Sequence, residues 1–163
     1  AGPLRGGKTS MFDGGTRIPF MLRWPAKVKP QVSDVFVCQM DLLASFASLL
    51  GQTYPDKIDS ENTLDAFLGK SKKEVVQPYY YVQFDNHATG YRGLRTSTHT
   101  FAVHATNGKI DETVLFDRTK DPYQMDNIAG QSPRLVRQFN KQLKAWLLHT
   151  NDSFAHYLET VTK

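Results

Sequence analysis

Between Gln39 and Leu50 the apolar residues Met40, Leu43, Phe46, Ala47 and Leu50 recur at the helical period, which predicts a helix with one apolar face. Asp41 suits its first turn and Gly51 its C-terminal stop. A longer stripe, Leu135, Val136, Phe139, Leu143, Trp146 and Leu147, predicts a second helix over 132–149, announced by a capping serine and a first-turn proline at Ser132-Pro133. Asn62 to Leu68, stopped by Gly69, predicts a short helix, and Phe154 to Leu158 a last helical turn. Other stretches read as strands. Ile18 to Arg23 is an apolar run of strand length, with Pro19 near its start. Pro78 to Phe84 is rich in aromatic and branched residues. Tyr91 to Thr96 and Thr100 to His104 flank a turn at Ser97-Thr-His99, a hairpin signal. Asn107-Gly108 marks another turn, and Glu112 to Asp117 the next strand. The pattern predicts about four antiparallel strands packed by helix 132–149.

The charged stretch Lys70-Ser-Lys-Lys73 places a boundary between residues 1–72 and 73–163. The chain has 163 residues, 40% of them hydrophobic, enough to bury a core and to exclude a disordered chain. It has no run of eighteen apolar residues, so no transmembrane helix is expected, and no basic-then-apolar leader. It opens in a glycine-rich loop, which reads as the continuation of something longer. A net charge of +4 is a mild excess. Much of it sits on the polar face of the long helix, at Arg134, Arg137, Lys141 and Lys144, while the aromatics lie on the opposite stripe, so nucleic-acid binding is not expected. The lone Cys38 lies in an apolar setting and reads as a buried small hydrophobe. The five histidines show no metal-ligand spacing, so no metal site is expected here. His99, His104, His149 and His156 read as structural or exposed residues.

The chemistry gathers near the start. Leu4 to Phe20 sets Lys8 between the glycine pairs Gly6-Gly7 and Gly14-Gly15, with Asp13 and Arg17 four positions apart. Glycines allow close backbone approach or positive φ. A lysine among them is a point charge suited to a tetrahedral anion, phosphate or sulfate. Gly2 to Thr9 even matches the P-loop pattern letter for letter. That motif needs a helix starting after its lysine. Gly14-Gly15 and Pro19 would stop such a helix within about a turn and a half, so nucleotide binding is rejected. Asp13 and Arg17 are expected to pair and brace the loop.

Leu4-Arg-Gly-Gly-Lys-Thr9, then Phe12-Asp-Gly-Gly-Thr-Arg-Ile-Pro19 and Arg23-Trp-Pro25, resemble the sulfatase family, in particular its arylsulfatase and N-acetylhexosamine-6-sulfatase type. Met40 to Gly51, Gly93-Leu-Arg-Thr96 with Thr100-Phe101, Leu115-Phe-Asp117 and Asp121 to Asn127 are similar to further family segments in the same order. The resemblance implies an α/β fold (α+β for the C-terminal part): the end of an alkaline-phosphatase-like sulfatase domain over 1–72, and a C-terminal subdomain over 73–163. It implies a parent enzyme that hydrolyses sulfate esters of a small molecule or glycan, outside the cytoplasm. Such a parent uses a formylglycine nucleophile, made from Cys or Ser in C/S-x-P-x-R, and calcium on Asp and Asn residues upstream of the lysine loop. This chain has neither: Cys38 lacks a proline two residues on. No cofactor is therefore expected in the chain, its partner is the missing N-terminal catalytic portion, and alone it is expected to be inactive. Lys8 matches the family lysine that contacts the substrate sulfate, and Thr9 replaces a more usual glycine. Residue 13 is more often Glu. His87, in the polar loop 85–90, is a candidate substrate contact. The alternative from a different class is a non-enzymatic module that binds a carbohydrate or partner through the C-terminal sheet.

Overall fold

The computed structural model describes residues 2–70, 78–86 and 88–161. They fall into two compact units, one of residues up to 18 with 78 onward, the other of residues 19–77. The lysine loop thus packs with the C-terminal sheet, although it lies in the first sequence segment.

In the first unit, β1 (Tyr79–Asn86), β2 (Thr89–Arg95), β3 (His99–Thr106) and β4 (Lys109–Asp117) form an antiparallel sheet in chain order. The expected hairpins are present. Thr96 and His99 close the β2–β3 turn through a 2.9 Å backbone bond, and Thr96 Oγ1 accepts from the His99 amide. Asn107 and Gly108 take φ of 50° and 76° at the β3–β4 turn, the left-handed pair that a two-residue hairpin requires. Alternation gives the sheet two apolar faces. One presents Leu94, Phe101, Val103, Ala105 and Leu115 to α4 (Pro133–His149) and to a 3-10 segment, Ser153–Thr160. Val136, Phe139, Leu143 and Leu147 fill that interface as the stripe predicts, and Trp146 stacks on Tyr80 at 4.6 Å. Pro133 opens α4, but the Ser132 side chain caps nothing; only its carbonyl joins the helix, accepting from the Val136 amide. Arg92, buried in β2, pairs with Asp152 at 2.7 Å and lies over the Phe154 ring, tying the 3-10 segment down. The other face presents Ala102, Val114 and Phe116, covered by Met11 and Phe12 of the lysine loop.

In the second unit, a 3-10 turn (Gln39–Asp41) leads into α2 (Leu42–Leu49), and α3 (Leu64–Phe67) follows. Asp41 is fully buried and accepts from the amides of Cys38 and Glu61, pinning the start of α2 to the chain before α3. Gly51 and Gly69 adopt positive φ after the two helices, as C-terminal stops do. Two expectations fail here. The run Ile18 to Arg23 forms no strand, because no partner among the described residues offers a ladder to its amides and carbonyls. The stripe Met40, Leu43, Phe46 and Leu50 is exposed, and α2 buries Ala44 and Ser45 instead. Ser45 hydrogen-bonds Thr63, which anchors α2 to α3 through polar atoms. Cys38 is half-buried. The linker expected after Lys70 lies outside the described residues.

Candidate functional site

The loop 5–16 is folded tightly on itself. The Ser10 amide donates to the Gly7 carbonyl at 2.9 Å, closing a turn with Lys8 and Thr9 at its tip. Thr9 has φ of 72°, a left-handed conformation that a β-branched residue adopts only under strain. The Gly14 amide returns to the Arg5 carbonyl at 2.8 Å. A Cβ on Gly14 would collide with the carbonyls of Arg5 and Gly6, and one on Gly15 with those of Gly7 and Ser10. The second glycine pair therefore lets the two arms of the loop touch; it lines no anion cradle. No helix follows Lys8: α1 (Asp13–Thr16) is a single turn beginning five residues later. The geometry agrees with rejecting the P-loop.

Four side chains, Arg95, Gln124, Gln83 and Arg5, bind this loop to the sheet. Asp13 pairs with Arg95 of β2 at 2.7 Å, with side-chain exposures of 2% and 6%. The expected Asp13–Arg17 pair is not made; Arg17 is exposed, and only its amide reaches the Asp13 carbonyl. The four-residue spacing places both on one turn, but the deeper cation wins because Asp13 faces the sheet. Arg95 also donates to Thr16 Oγ1 at 3.1 Å. Gln124, fully buried at φ 61°, accepts from the Asp13 amide at 2.8 Å and donates to Thr100 Oγ1 at 2.9 Å. Gln83 of β1 accepts from the Met11 amide at 3.0 Å. Arg5 lies over the rings of Phe12 and Phe116 at 4.7 and 5.3 Å. Arg118 donates to the Thr96 and Ser97 carbonyls beside this cluster, and burial followed by the neighbouring Arg95 lowers its pKa. Lys8 itself is exposed at the tip, and its ammonium has no ion-pair or hydrogen-bond partner among the described residues.

A family model for "N-sulphoglucosamine sulphohydrolase, C-terminal" matches residues 7–152. The chain belongs to this sulfatase family. It is 34% identical to an N-acetylgalactosamine-6-O-sulfatase of Bacteroides thetaiotaomicron and 27% identical to human arylsulfatase A, covering 88% of its own length in both. It spans only 30% and 33% of those relatives. A crystal structure of yidJ from Bacteroides fragilis aligns with a TM-score of 0.67 at 49% identity, over 83% of this chain and 30% of that one. The four-stranded sheet with its long helix is thus a sulfatase C-terminal fold, and the family is one of sulfuric ester hydrolases.

Among the described residues, no three His, Cys, Asp or Glu side chains converge. His87 lies outside the described residues. His99 contacts Thr98 and the Phe139 ring, and His149 and His156 are exposed. His104 differs from the expectation of a bland strand end. It joins a polar row across β2, β3 and β4, where Tyr91, His104 and Glu112 are register neighbours. The Tyr91 hydroxyl donates to Glu112, His104 Nδ1 meets Asp111 at 2.6 Å, and Thr106 donates to the other Asp111 oxygen. A register shift beside Ala105 leaves Asp111 without a strand partner and turns it toward His104. Burial, then Glu112, raises the Tyr91 pKa well above its ordinary 10.0; Thr106, then His104, lowers that of Asp111. Only strand register brings this row together. Spacing within one strand could not reveal it.

Proposed function

We propose that this chain is the C-terminal part of an enzyme that hydrolyses sulfate esters, with Lys8 as the cation that meets the sulfuryl group. The observation that carries the reading is a lysine with a partner-free ammonium among the described residues, at the tip of a loop pinned to a sheet. The sulfuryl group carries negative charge on its oxygens, and a positioned cation stabilises that charge at little reorganisation cost. Family membership supports the chemistry. The N-acetylgalactosamine-6-O-sulfatase relative supports a sulfated carbohydrate as substrate. Residues 1–72 are assigned to the end of the catalytic domain and 73–163 to the C-terminal subdomain. His87, in the connection between β1 and β2, is assigned to the sugar or aryl group of the substrate. The nucleophile and calcium belong to a preceding portion of the parent, and without it the chain is inactive. The parent works outside the cytoplasm; in the chain itself, no described helix is long and apolar enough to cross a membrane.

In the parent enzyme, Lys8→Ala lowers turnover of an aryl sulfate about a hundredfold, the scale for losing one transition-state contact. Unchanged turnover removes Lys8 from the site. The second reading, a carbohydrate-binding module, draws on the half-exposed Tyr91–His104–Glu112 row, whose donors and acceptors suit sugar hydroxyls. Calorimetry of the 163-residue chain with a desulfated glycan separates the two: binding favours the module.

A further inference from the structure

We infer that Arg95 and Gln124 are positioning residues for Lys8, acting through Asp13. This rests on the reading of Lys8 as the sulfate contact. Asp13 is the point where the loop is gripped from two sides. Its carboxylate is held by Arg95 from β2, and its amide by Gln124 from the loop after β4. Both grips are buried, so water does not compete for them. Each grip is also tied onward. Arg95 reaches Thr16 at the far end of α1, and Gln124 reaches Thr100 of β3. Gln124 holds a left-handed backbone that non-glycine residues avoid, and its own carbonyl accepts from Arg5 at 3.5 Å, on the opposite arm of the loop. One buried glutamine therefore touches both arms, at Arg5 and Asp13, on either side of Lys8.

The lysine tip has no such anchor. Among the described residues, Lys8 contacts nothing through its ammonium, and Thr9 bonds only to the Lys8 carbonyl, at 2.5 Å. A long, flexible side chain at an unanchored tip is placed by the base of its loop. A cation must sit in a fixed place to stabilise charge as it develops, and small displacements forfeit much of the effect. The clamp at Asp13 supplies that fixity from about five residues away in sequence, at the base of a loop closed by glycine contacts.

Two measurements test the clamp separately from the chemistry. The first uses trypsin on the 163-residue chain. Gln124→Ala raises cutting after Lys8 about tenfold, the expected effect of losing a buried hydrogen bond on local opening, while other tryptic sites keep their rates. Equal cutting after Lys8 in wild type and variant overturns the clamp. Arg95→Met strands a buried carboxylate and can unfold the sheet, so Thr16→Val, which removes the Arg95–Thr16 bond together with the Thr16 hydroxyl's bond to the Phe12 carbonyl, serves in its place. It gives a smaller rise in the same cut. Arg95→Lys, able to reach Asp13 without the fork to Thr16, keeps part of the wild-type protection.

The second measurement is turnover of an aryl sulfate by the parent enzyme. Gln124→Ala lowers kcat with little change in KM, and combining it with Lys8→Ala gives no further loss beyond Lys8→Ala alone. A fully additive loss overturns action through Lys8. If Lys8→Ala is silent by itself, the sulfate reading fails, while the trypsin result still decides whether the loop is clamped.

Discussion

Thr9 shows how much a single position can hold. It stands at the loop tip with φ of 72°, where a branched side chain costs about 1–2 kcal/mol. Its glycine replacement costs part of that back in chain entropy. Thr9→Gly therefore raises stability by about 1 kcal/mol, read as a higher urea midpoint at unchanged slope. Tyr91 carries a second consequence. Burial and Glu112 raise its folded pKa above 10.0, so the folded state keeps the phenol proton that the unfolded chain releases. Its contribution to stability is complete below pH 10 and is lost as pH rises beyond it. Tyrosinate absorbance should show a late-titrating component that shrinks in Tyr91→Phe, the remainder belonging to Tyr80, whose pKa burial also raises. The Asp13–Arg95 pair belongs to this scale as well. The sequence offers Arg17 at helical spacing, but the partner is 82 residues away on a strand. No local rule reaches that far.

At the scale of elements, α4 agrees with its pattern because both sides of its interface are present. Its stripe faces Leu94, Phe101 and Leu115, and its charged face meets solvent. Leu143 is fully buried there, so Leu143→Ala costs about 2–5 kcal/mol through lost contacts and a residual cavity, measurable by denaturant unfolding. The four strands are legible for the same reason: each has its neighbour within the chain, and Asn107-Gly108 supplies its own turn geometry. Ile18 to Arg23 has strand composition and no strand, since backbone pairing depends on a second strand. Helix α2 forms where expected but turns its small residues Ala44 and Ser45 inward.

At the scale of the molecule, the two units differ in how they use apolar residues. The sheet unit buries most of its own, with Met125, Ile18 and Leu148 among its exposed exceptions. The unit of residues 19–77 leaves Met21 at 92%, Val32 at 93% and Leu50 at 70% exposure, together with Leu43 and Phe46 on the α2 stripe. Exposed apolar surface of this kind marks an interaction site or a liability. The chain alone should therefore self-associate as concentration rises. Leu43→Lys combined with Leu50→Lys should return it to a monomer, seen by sedimentation velocity. A wild-type chain that stays monomeric throughout would show that these side chains find cover within it. The relatives are about three times longer than the matched segment.

The rejection of a P-loop, the helices and the order of strands follow from the sequence itself, because each rests on neighbours a few residues away. Periodicity, glycine stops and turn dipeptides act over one or two turns of chain. The tertiary structure decided three things. It gave Asp13 to Arg95, joined the lysine loop to the C-terminal sheet, and aligned Tyr91, His104 and Glu112 in one row. All three depend on strand register and on burial, which set charges and faces together across 8 to 111 residues of chain. The glycine pair at 14–15 lies between these cases. Its presence is plain in the sequence, but only the folded loop shows that the backbone it admits is its own.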